Sequence, residues 1–174
     1  MPGFIRVYTG NGKGKTTSAL GEALNALLNG QRVFIMQFMK PALRKGEQLL
    51  MDCFPLNLVF LPVGRKDFIL KKKGRDPLDS IMARRALSLA RDVVSRGVYD
   101  LMILDEINMA IWFHLIPLED VLAFIDLKPS RTNFILTGRN LHPEIARRVD
   151  QIVELQEIKH YFRRGIRARQ GIEY

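Results

Sequence analysis

The sequence has few of the features that mark secreted or membrane proteins. Only one of its 174 residues, Cys53, is a cysteine, so no disulfide can form within the chain, as is usual in a reducing cytosol. No apolar run approaches the ~20 residues that a membrane-spanning helix needs. The first residues, Met-Pro-Gly-Phe-Ile-Arg, lack the basic segment and apolar core of a signal peptide. These absences predict a cytoplasmic protein with no membrane partner, in which Cys53 is a small buried apolar residue.

The sequence also has fewer acidic than basic residues. The chain has 18 of them against 27 lysines and arginines, which gives a formal charge of +9. Such a balance attracts polyanions, and both nucleic acid and nucleoside triphosphates belong to that class. Hydrophobic residues make up 47% of the chain, which is enough to bury the core of one domain of ordinary size.

Short apolar runs alternate with longer amphipathic ones, a pattern typical of βα units around a parallel sheet. The predicted strands are 4–9, 32–38, 58–63, 101–104, 133–137 and 151–155, and the predicted helices are 15–28, 77–97, 117–125 and 143–148. No internal repeat and no low-complexity linker interrupts this alternation. We therefore predict a single domain over residues 1–174 with a three-layer α/β architecture, in which helices flank a mostly parallel sheet.

The pattern also predicts which side chains are buried. In the helix that begins at Pro77, apolar residues at helical spacing predict the face that packs on the core. These residues are Ile81, Met82, Ala86, Leu89, Ala90 and Val93. Trp112 and Phe113 are interpreted as core residues of another helix rather than as a ligand platform. The least regular stretch, 39–73, is interpreted as a substrate-facing loop region.

A glycine-rich segment connects the first predicted strand to the first predicted helix. It reads Thr9-Gly10-Asn11-Gly12-Lys13-Gly14-Lys15-Thr16-Thr17. Glycines let successive backbone N–H groups point at phosphate oxygens, and the start of the helix adds the positive end of its dipole. Lys15 is placed to bind the outer phosphates, and the Thr16 hydroxyl is placed to ligate Mg²⁺. The segment is a variant P-loop, because Thr9 occupies the position of the first glycine in the usual motif.

An acidic pair, Asp105 and Glu106, follows the apolar strand predicted at 101–104. Because the carboxyl ends of parallel strands meet at one edge of a sheet, both carboxylates are expected close to a metal held by Thr16. Together the two motifs predict binding of ATP with Mg²⁺ or Mn²⁺, in a P-loop NTPase fold of the RecA-like type.

Beyond these motifs, the chain resembles the ATP:corrinoid adenosyltransferases that use a P-loop fold. The matching stretches run in order along nearly the whole chain, at 9–17, 37–38, 105–108, 136–140, 158–162 and 165–174. The two C-terminal stretches are the most specific, since a generic ATPase has no reason to share them.

The resemblance implies that a Co(I) corrinoid attacks the 5′ carbon of ATP and displaces the whole triphosphate, in the synthesis or salvage of adenosylcobalamin. It implies that residues 9–17 bind the triphosphate and that no general base is required. Other roles carry over by position: the metal candidates are Thr16, Glu106 and Asp105, and the catalytic cations are Lys15, Lys13 and Arg139. Arg139 would meet either a phosphate or a side chain of the corrin.

The resemblance also implies partners. Family members have an aromatic pair at the corrin in a loop after the third strand. Phe68 stands in for one of these aromatics, whereas Leu70 stands where tryptophan is expected. The implied partners are the corrinoid substrate, a flavoprotein-type electron donor that reduces cobalt, and a second copy of the chain in a homodimer. Nucleic acid is not an expected partner.

Three other functions stay open at the level of sequence. The +9 charge is compatible with a nucleic-acid-dependent RecA-like ATPase, although aromatic residues interleaved for base stacking are not evident. A small-molecule kinase would share the phosphate loop but would yield ADP. A non-catalytic protein that binds ATP or a corrinoid is suggested by the altered region at 68–70.

Overall fold

The computed structural model describes residues 2–65 and 76–159, and in these ranges six parallel strands form one sheet. The strands are β1 (Ile5–Thr9), β2 (Val33–Phe38), β3 (Leu58–Val63), β4 (Leu101–Asp105), β5 (Asn133–Thr137) and β6 (Gln151–Glu154). Their order across the sheet is β3-β2-β4-β5-β1-β6. The prediction of a mostly parallel sheet is confirmed, and all carboxyl ends of the strands lie at one edge.

Helices cover both faces of the sheet. They are α1 (Lys15–Leu28), α2 (Lys45–Cys53), α3 (Pro77–Ser95), α4 (Ile107–Trp112), α5 (Leu118–Asp126) and α6 (Pro143–Ala146). One apolar cluster packs α3, α4, α5 and α6 against one face, and a second packs α1 against the other, with partly buried residues of α2 joining it. Alternate residues of β2 and β4 enter opposite clusters, as the period of a strand requires. None of the helices in the described ranges is both long and apolar enough to cross a membrane.

The ends of two helices follow the signals in the sequence. The Asp76 carboxylate caps α3 by accepting a hydrogen bond of 3.0 Å from the Leu78 N–H, and Pro77 occupies the first turn. Gly30 follows α1 with φ of 74°, the left-handed conformation that glycine adopts at the end of a helix. These local signals explain why the predicted bounds of α1 and α3 agree with the observed ones.

An ion-pair cluster fixes the start of α3 to the end of β3. The Arg65 guanidinium donates to both carboxylate oxygens of Asp79, at 2.7 and 2.8 Å, and forms an ion pair of 2.7 Å with Asp76. Asp79 is buried within the first turn of α3. This cluster holds the amino end of α3 next to the carboxyl edge of the sheet.

Several predictions about burial are wrong. Trp112 and Phe113 do lie at the end of a helix, but their side chains are exposed at 58% and 39%. Cys53 is exposed rather than buried. The stretch 39–73 contains a short helix, α2, that the sequence analysis did not predict, and Glu47 is the only one of its nine residues that is buried.

The buried face of α3 also differs from the predicted one. Ile81 and Leu89 point outward, whereas small residues and Leu87 pack against the sheet. The residues of α3 in the core are Ala83, Ala86, Leu87, Ala90 and Val94. Short alanine side chains let the helix approach the sheet closely, so the larger apolar residues of the neighbouring face remain outside.

This reassignment predicts different effects for two leucines of one helix. Leu87→Ala should lower the free energy of unfolding by about 2–5 kcal/mol, since Leu87 is 2% exposed and its removal leaves a cavity. Leu89→Ala should change it by no more than about 0.5 kcal/mol, because that side chain is 45% exposed. Urea unfolding of both variants measures the difference. An equal loss in the two variants would show that the helix face is wrongly assigned.

Candidate active site

The carboxyl edge of the sheet brings together the polar segments that the sequence singled out. The phosphate loop, residues 9–17, follows β1, and the acidic pair follows β4. Strand β5 lies between β1 and β4, and Gly138 and Arg139 follow it. The loop, the acidic pair and Arg139 therefore lie side by side along one edge, where open α/β sheets bind their ligands.

The shape of the phosphate loop depends on contact with the chain that follows β6. A Cβ on Gly10 would lie 2.4 Å from the Leu155 carbonyl oxygen, and one on Gly12 would lie 2.7 Å from the same atom. The Gly12 N–H donates to that oxygen at 2.6 Å. Glycine is therefore needed at positions 10 and 12, whereas Thr9 belongs to β1 and continues the strand. This accounts for the displaced glycine of the motif.

Lys15 is held inside the loop. Its side-chain ammonium donates to the carbonyl oxygens of Gly10 and Gly12, both at 2.8 Å, and the residue is 8% exposed. Burial lowers the pKa of the Lys15 ammonium, and the positive charge of Arg139 lowers it further, while the Glu106 and Asp105 carboxylates oppose that shift. Lys15 is thus a buried cation whose neighbours include both signs of charge.

The first turn of α1 offers backbone donors at the same place. Gly14 is the N-cap residue of α1, with φ of 114°, and has no side chain that could accept hydrogen bonds from the first amides. The first turn of α1 contains no acidic residue. The amides at the start of a helix have no partner within it, and the helix dipole makes this end positive. A 14-residue helix that begins in this way inside a glycine-rich loop can bind an anion such as a phosphate group.

Asp105 is the most constrained polar residue of the site. Its carboxylate is 1% exposed and accepts hydrogen bonds from Thr16 Oγ1 at 2.9 Å, Gln37 Nε2 at 2.8 Å and Thr137 Oγ1 at 2.6 Å. The donors come from α1, β2 and β5. Gln37 lies opposite Asp105 in the β2–β4 ladder, so the register itself supplies one donor. Because the Thr16 hydroxyl donates its proton to Asp105, the lone pairs of its oxygen are left for another partner.

Glu106 differs sharply from its neighbour. It adopts a left-handed backbone conformation, φ 61°, stabilised by a hydrogen bond of 2.9 Å from its N–H to Thr137 Oγ1. Its carboxylate is half-buried and has no hydrogen bond or ion pair with any residue in 2–65 or 76–159. Burial raises the pKa of the Glu106 carboxyl, and the charge of Asp105 raises it further.

These two observations test whether the residues fit a divalent cation. Glu106 supplies a carboxylate without a hydrogen-bond or ion-pair partner among the described residues, and Thr16 supplies an oxygen whose proton is donated to Asp105. Both are hard oxygen ligands of the kind Mg²⁺ prefers. Across the described ranges, no group of three or more His, Cys, Asp or Glu side chains could hold a metal ion by itself. The site therefore fits a cation that shares its ligands with phosphate and water, as Mg²⁺ does in nucleotide sites.

The segment after β5 is fixed by α4. Asn108 is buried, and its side-chain amide donates to the Gly138 carbonyl oxygen at 3.1 Å. The Gly138 N–H in turn donates to the Tyr8 carbonyl oxygen at 3.1 Å, next to the phosphate loop. Arg139 follows with an exposed side chain whose charge acts on both Lys15 and Glu106. Two stretches that carry the family resemblance, 105–108 and 136–140, are therefore in direct contact.

Lys40 is a site residue that the sequence did not identify. Among the three cations that oppose the raised pKa of Glu106, Lys40 acts most strongly, ahead of Lys15 and Arg139. Its position is fixed by close packing of Gly64, where a Cβ would lie 2.7 Å from the Lys40 amide nitrogen. The only available signal was its place just after β2, the strand beside β4.

The other predicted site residues are either exposed on the phosphate loop or lie outside the described residues. Lys13, Asn11 and Thr17 are exposed on the phosphate loop. Phe68 and Leu70, together with the C-terminal stretches of the resemblance from residue 160 onward, lie outside the described residues.

Comparisons with known proteins confirm the family resemblance. The family model described as "ATP:corrinoid adenosyltransferase BtuR/CobO/CobP" matches residues 1–174. A corrinoid adenosyltransferase of Escherichia coli (strain K12) is 33% identical over 172 residues, which cover 99% of this chain and 86% of that protein. The corrinoid adenosyltransferase CobA of Salmonella typhimurium (strain LT2) is 31% identical over the same length, with the same shares covered.

A solved structure supports the fold. The flagellar accessory protein FlaH from Methanocaldococcus jannaschii superposes with a TM-score of 0.62 at 17% identity, covering 88% of this chain and 71% of that one. At this identity the likeness concerns the architecture alone. The predicted three-layer, RecA-like P-loop fold is confirmed.

The charges around Glu106 predict an observable titration in the metal-free protein. The pKa of its carboxyl should lie above the usual range of glutamate, because burial and the charge of Asp105 disfavour the carboxylate. Lys40→Met should raise this pKa further, because it removes a cation that stabilises the charged form. Lys45→Met, which removes an exposed lysine of α2, is the matched control and should leave it unchanged. Carbon-detected NMR of the glutamate side chains measures both. A lower pKa in the Lys40 variant would contradict the arrangement.

Proposed function

This chain belongs to the ATP:corrinoid adenosyltransferase family and adenosylates corrinoids, and we propose that it does so by displacing an intact triphosphate held at residues 9–17. The protein is thus a transferase with ATP as co-substrate. The observation that carries the mechanistic proposal is the buried Lys15 ammonium, enclosed by the carbonyl oxygens of its own loop at the start of α1.

The reaction is a displacement at carbon. The lone pair of Co(I) forms a bond to the 5′ carbon of ATP, and the bond from that carbon to the triphosphate oxygen breaks. The electron pair of the broken bond leaves with the triphosphate, so cobalt is formally oxidised and no proton moves. Catalysis then requires alignment of cobalt with the carbon and stabilisation of charge on the departing oxygens. The site provides cations and backbone donors for this purpose.

We assign the triphosphate to the phosphate loop and the first turn of α1. Lys15 would exchange its two loop carbonyls for phosphate oxygens, which form stronger, charge-assisted hydrogen bonds. Arg139, whose charge reaches Lys15 and Glu106, and the exposed Lys13 would bind the outer oxygens. Lys40 would add positive charge on the far side of Glu106. These roles use the positive charge of the chain for a small polyanion rather than for nucleic acid.

Mg²⁺ would be held by Glu106 and the oxygen of Thr16, with Asp105 orienting that threonine through its hydrogen bond. When bound, the ion would withdraw charge from the leaving triphosphate. The contacts are the reason for giving the two acids different roles. The Asp105 carboxylate already accepts three hydrogen bonds, whereas the Glu106 carboxylate has no partner in the described ranges.

Further proposals concern the wider context. We propose that residues 1–174 are one cytoplasmic domain, that Phe68 contacts the corrin, and that the active form is a homodimer. A flavoprotein-type electron donor is proposed to reduce the cobalt of the corrinoid to Co(I), because none of the residues assigned above is a redox group. Family membership supports each of these proposals.

Turnover tests the assignment of Lys15. Wild-type protein incubated with ATP, Mg²⁺ and a chemically reduced corrinoid should form a product with the visible spectrum of an adenosyl-corrinoid, which bleaches in light. Lys15→Ala should reduce the rate by about 100-fold or more, the usual cost of removing a group that stabilises developing charge.

Lys45→Ala is the control, since Lys45 is an exposed lysine of α2. It should retain the wild-type rate. Retention of full activity by the Lys15 variant would show that the triphosphate binds elsewhere, and failure of the wild type to form any light-sensitive product would contradict catalysis itself.

A further inference from the structure

We infer that a cavity beside the active site binds the nucleotide tail of a complete corrinoid, meaning the aromatic base and the phosphodiester that links it to the ring. This inference rests on the proposed function and adds a specificity to it: the enzyme would bind tailed corrinoids more tightly than tailless ones.

The cavity lies between α3, the end of α4, the start of α5 and the segment that follows β5. Its volume is about 600 Å³, within the range of sites that bury a small molecule. The polar and aromatic residues that line it are Arg84, Trp112, His114, Glu119, Asn140 and His142. They come from four separate segments of the chain, so the fold rather than one local turn creates the cavity.

The cavity lies next to the candidate active site. Asn140 lines it and directly follows Arg139, and Trp112 is the last residue of α4, whose N-cap is Glu106. A helix rises 1.5 Å per residue, so the six residues of α4 place the cavity roughly 9 Å from the acidic end of the site. The cavity is thus near enough to the acidic pair for one bound substrate to reach both places.

Trp112 supplies the first element of recognition. Trp112, the single tryptophan of the chain, is 58% exposed, so much of its large apolar surface is in contact with water. No described residue forms a hydrogen bond with its indole N–H. An exposed tryptophan that lines a cavity can stack with an aromatic base.

Arg84 supplies the second element. It extends from α3 into the cavity lining, and in residues 2–65 and 76–159 its guanidinium has neither a hydrogen bond nor an ion pair. Guanidinium groups bind phosphodiester oxygens with two parallel hydrogen bonds. Glu119, on the same lining, offers a carboxylate that can accept hydrogen bonds from ribose hydroxyls.

The combination points to a nucleotide rather than to other parts of the substrates. A ring to stack on, a guanidinium and a carboxylate match a base, a phosphodiester and a ribose in turn. ATP is already assigned to the phosphate loop, and the corrin ring must lie over the 5′ carbon of ATP for cobalt to react. In the four-coordinate Co(I) state the base of the tail no longer ligates cobalt, so the tail is the part of the corrinoid that is left to bind elsewhere.

A kinetic comparison of two corrinoids tests this specificity. With reduced cobalamin, which has the tail, Trp112→Ala and Arg84→Met should each raise KM about tenfold, as expected for loss of a stacked base or a charged contact. With reduced cobinamide, which lacks it, KM should change less than about twofold. The kcat values should stay near wild type, because the cavity does not touch the reacting atoms.

Each variant has a matched control. Phe113→Ala removes the neighbouring exposed aromatic, and Arg85→Met removes the next arginine of α3; neither residue lines the cavity. Both controls should behave as wild type with either corrinoid. An equal rise of KM for both corrinoids, or no rise for cobalamin, would overturn the inference.

A binding measurement separates this inference from the proposed function. Trp112 is the single tryptophan, so its fluorescence reports on the cavity alone. Titration with a benzimidazole ribonucleotide bearing a phosphate should quench it, and Arg84→Met should weaken the quenching about tenfold, whether or not the protein turns over. Absence of quenching would identify the cavity as an empty cleft and overturn the inference. A change in the oligomeric state of Trp112→Ala, measured by sedimentation, would instead identify the cavity as an interface between subunits.

Discussion

One buried carboxylate organises the carboxyl edge of this protein. A charge as deeply buried as that of Asp105 costs several kcal/mol unless hydrogen bonds replace its water. Thr16, Gln37 and Thr137 provide those bonds from three different elements. The requirement to satisfy Asp105 therefore fixes the phosphate loop, β2 and β5 relative to β4, at the edge of the sheet that is proposed to bind the ligands.

The saturation of Asp105 gives the adjacent Glu106 a separate task. Glu106 is held by its own backbone in a left-handed conformation, and cations surround it without forming an ion pair in the described ranges. The two neighbouring acids thus differ: Asp105 is held by three hydrogen bonds, and Glu106 is the carboxylate to which the proposed function assigns the metal. Lys15, Arg139 and Lys40 act on one another or on Glu106 at the same edge, and these are the cations to which the proposed function assigns the triphosphate.

The strands and the phosphate loop were predicted well from the sequence, because both depend on patterns of residues that are close together in the chain. Apolar runs marked every strand, and the spacing of Lys15 and Thr16 marked the loop. Burial was predicted poorly where it depends on packing between elements, as for Leu89 and Trp112, which were predicted to be buried and are exposed. Lys40 was missed because its role arises from its position across the sheet, which no short motif records.

The central claim is that all three phosphates leave together. Phosphorus NMR of the products after a single turnover with ATP, Mg²⁺ and reduced corrinoid tests it most directly. The account predicts inorganic triphosphate in equal amount to the adenosylated corrinoid. Release of ADP with orthophosphate, or of AMP with pyrophosphate, would show that the loop cleaves ATP between its phosphates and would contradict the account.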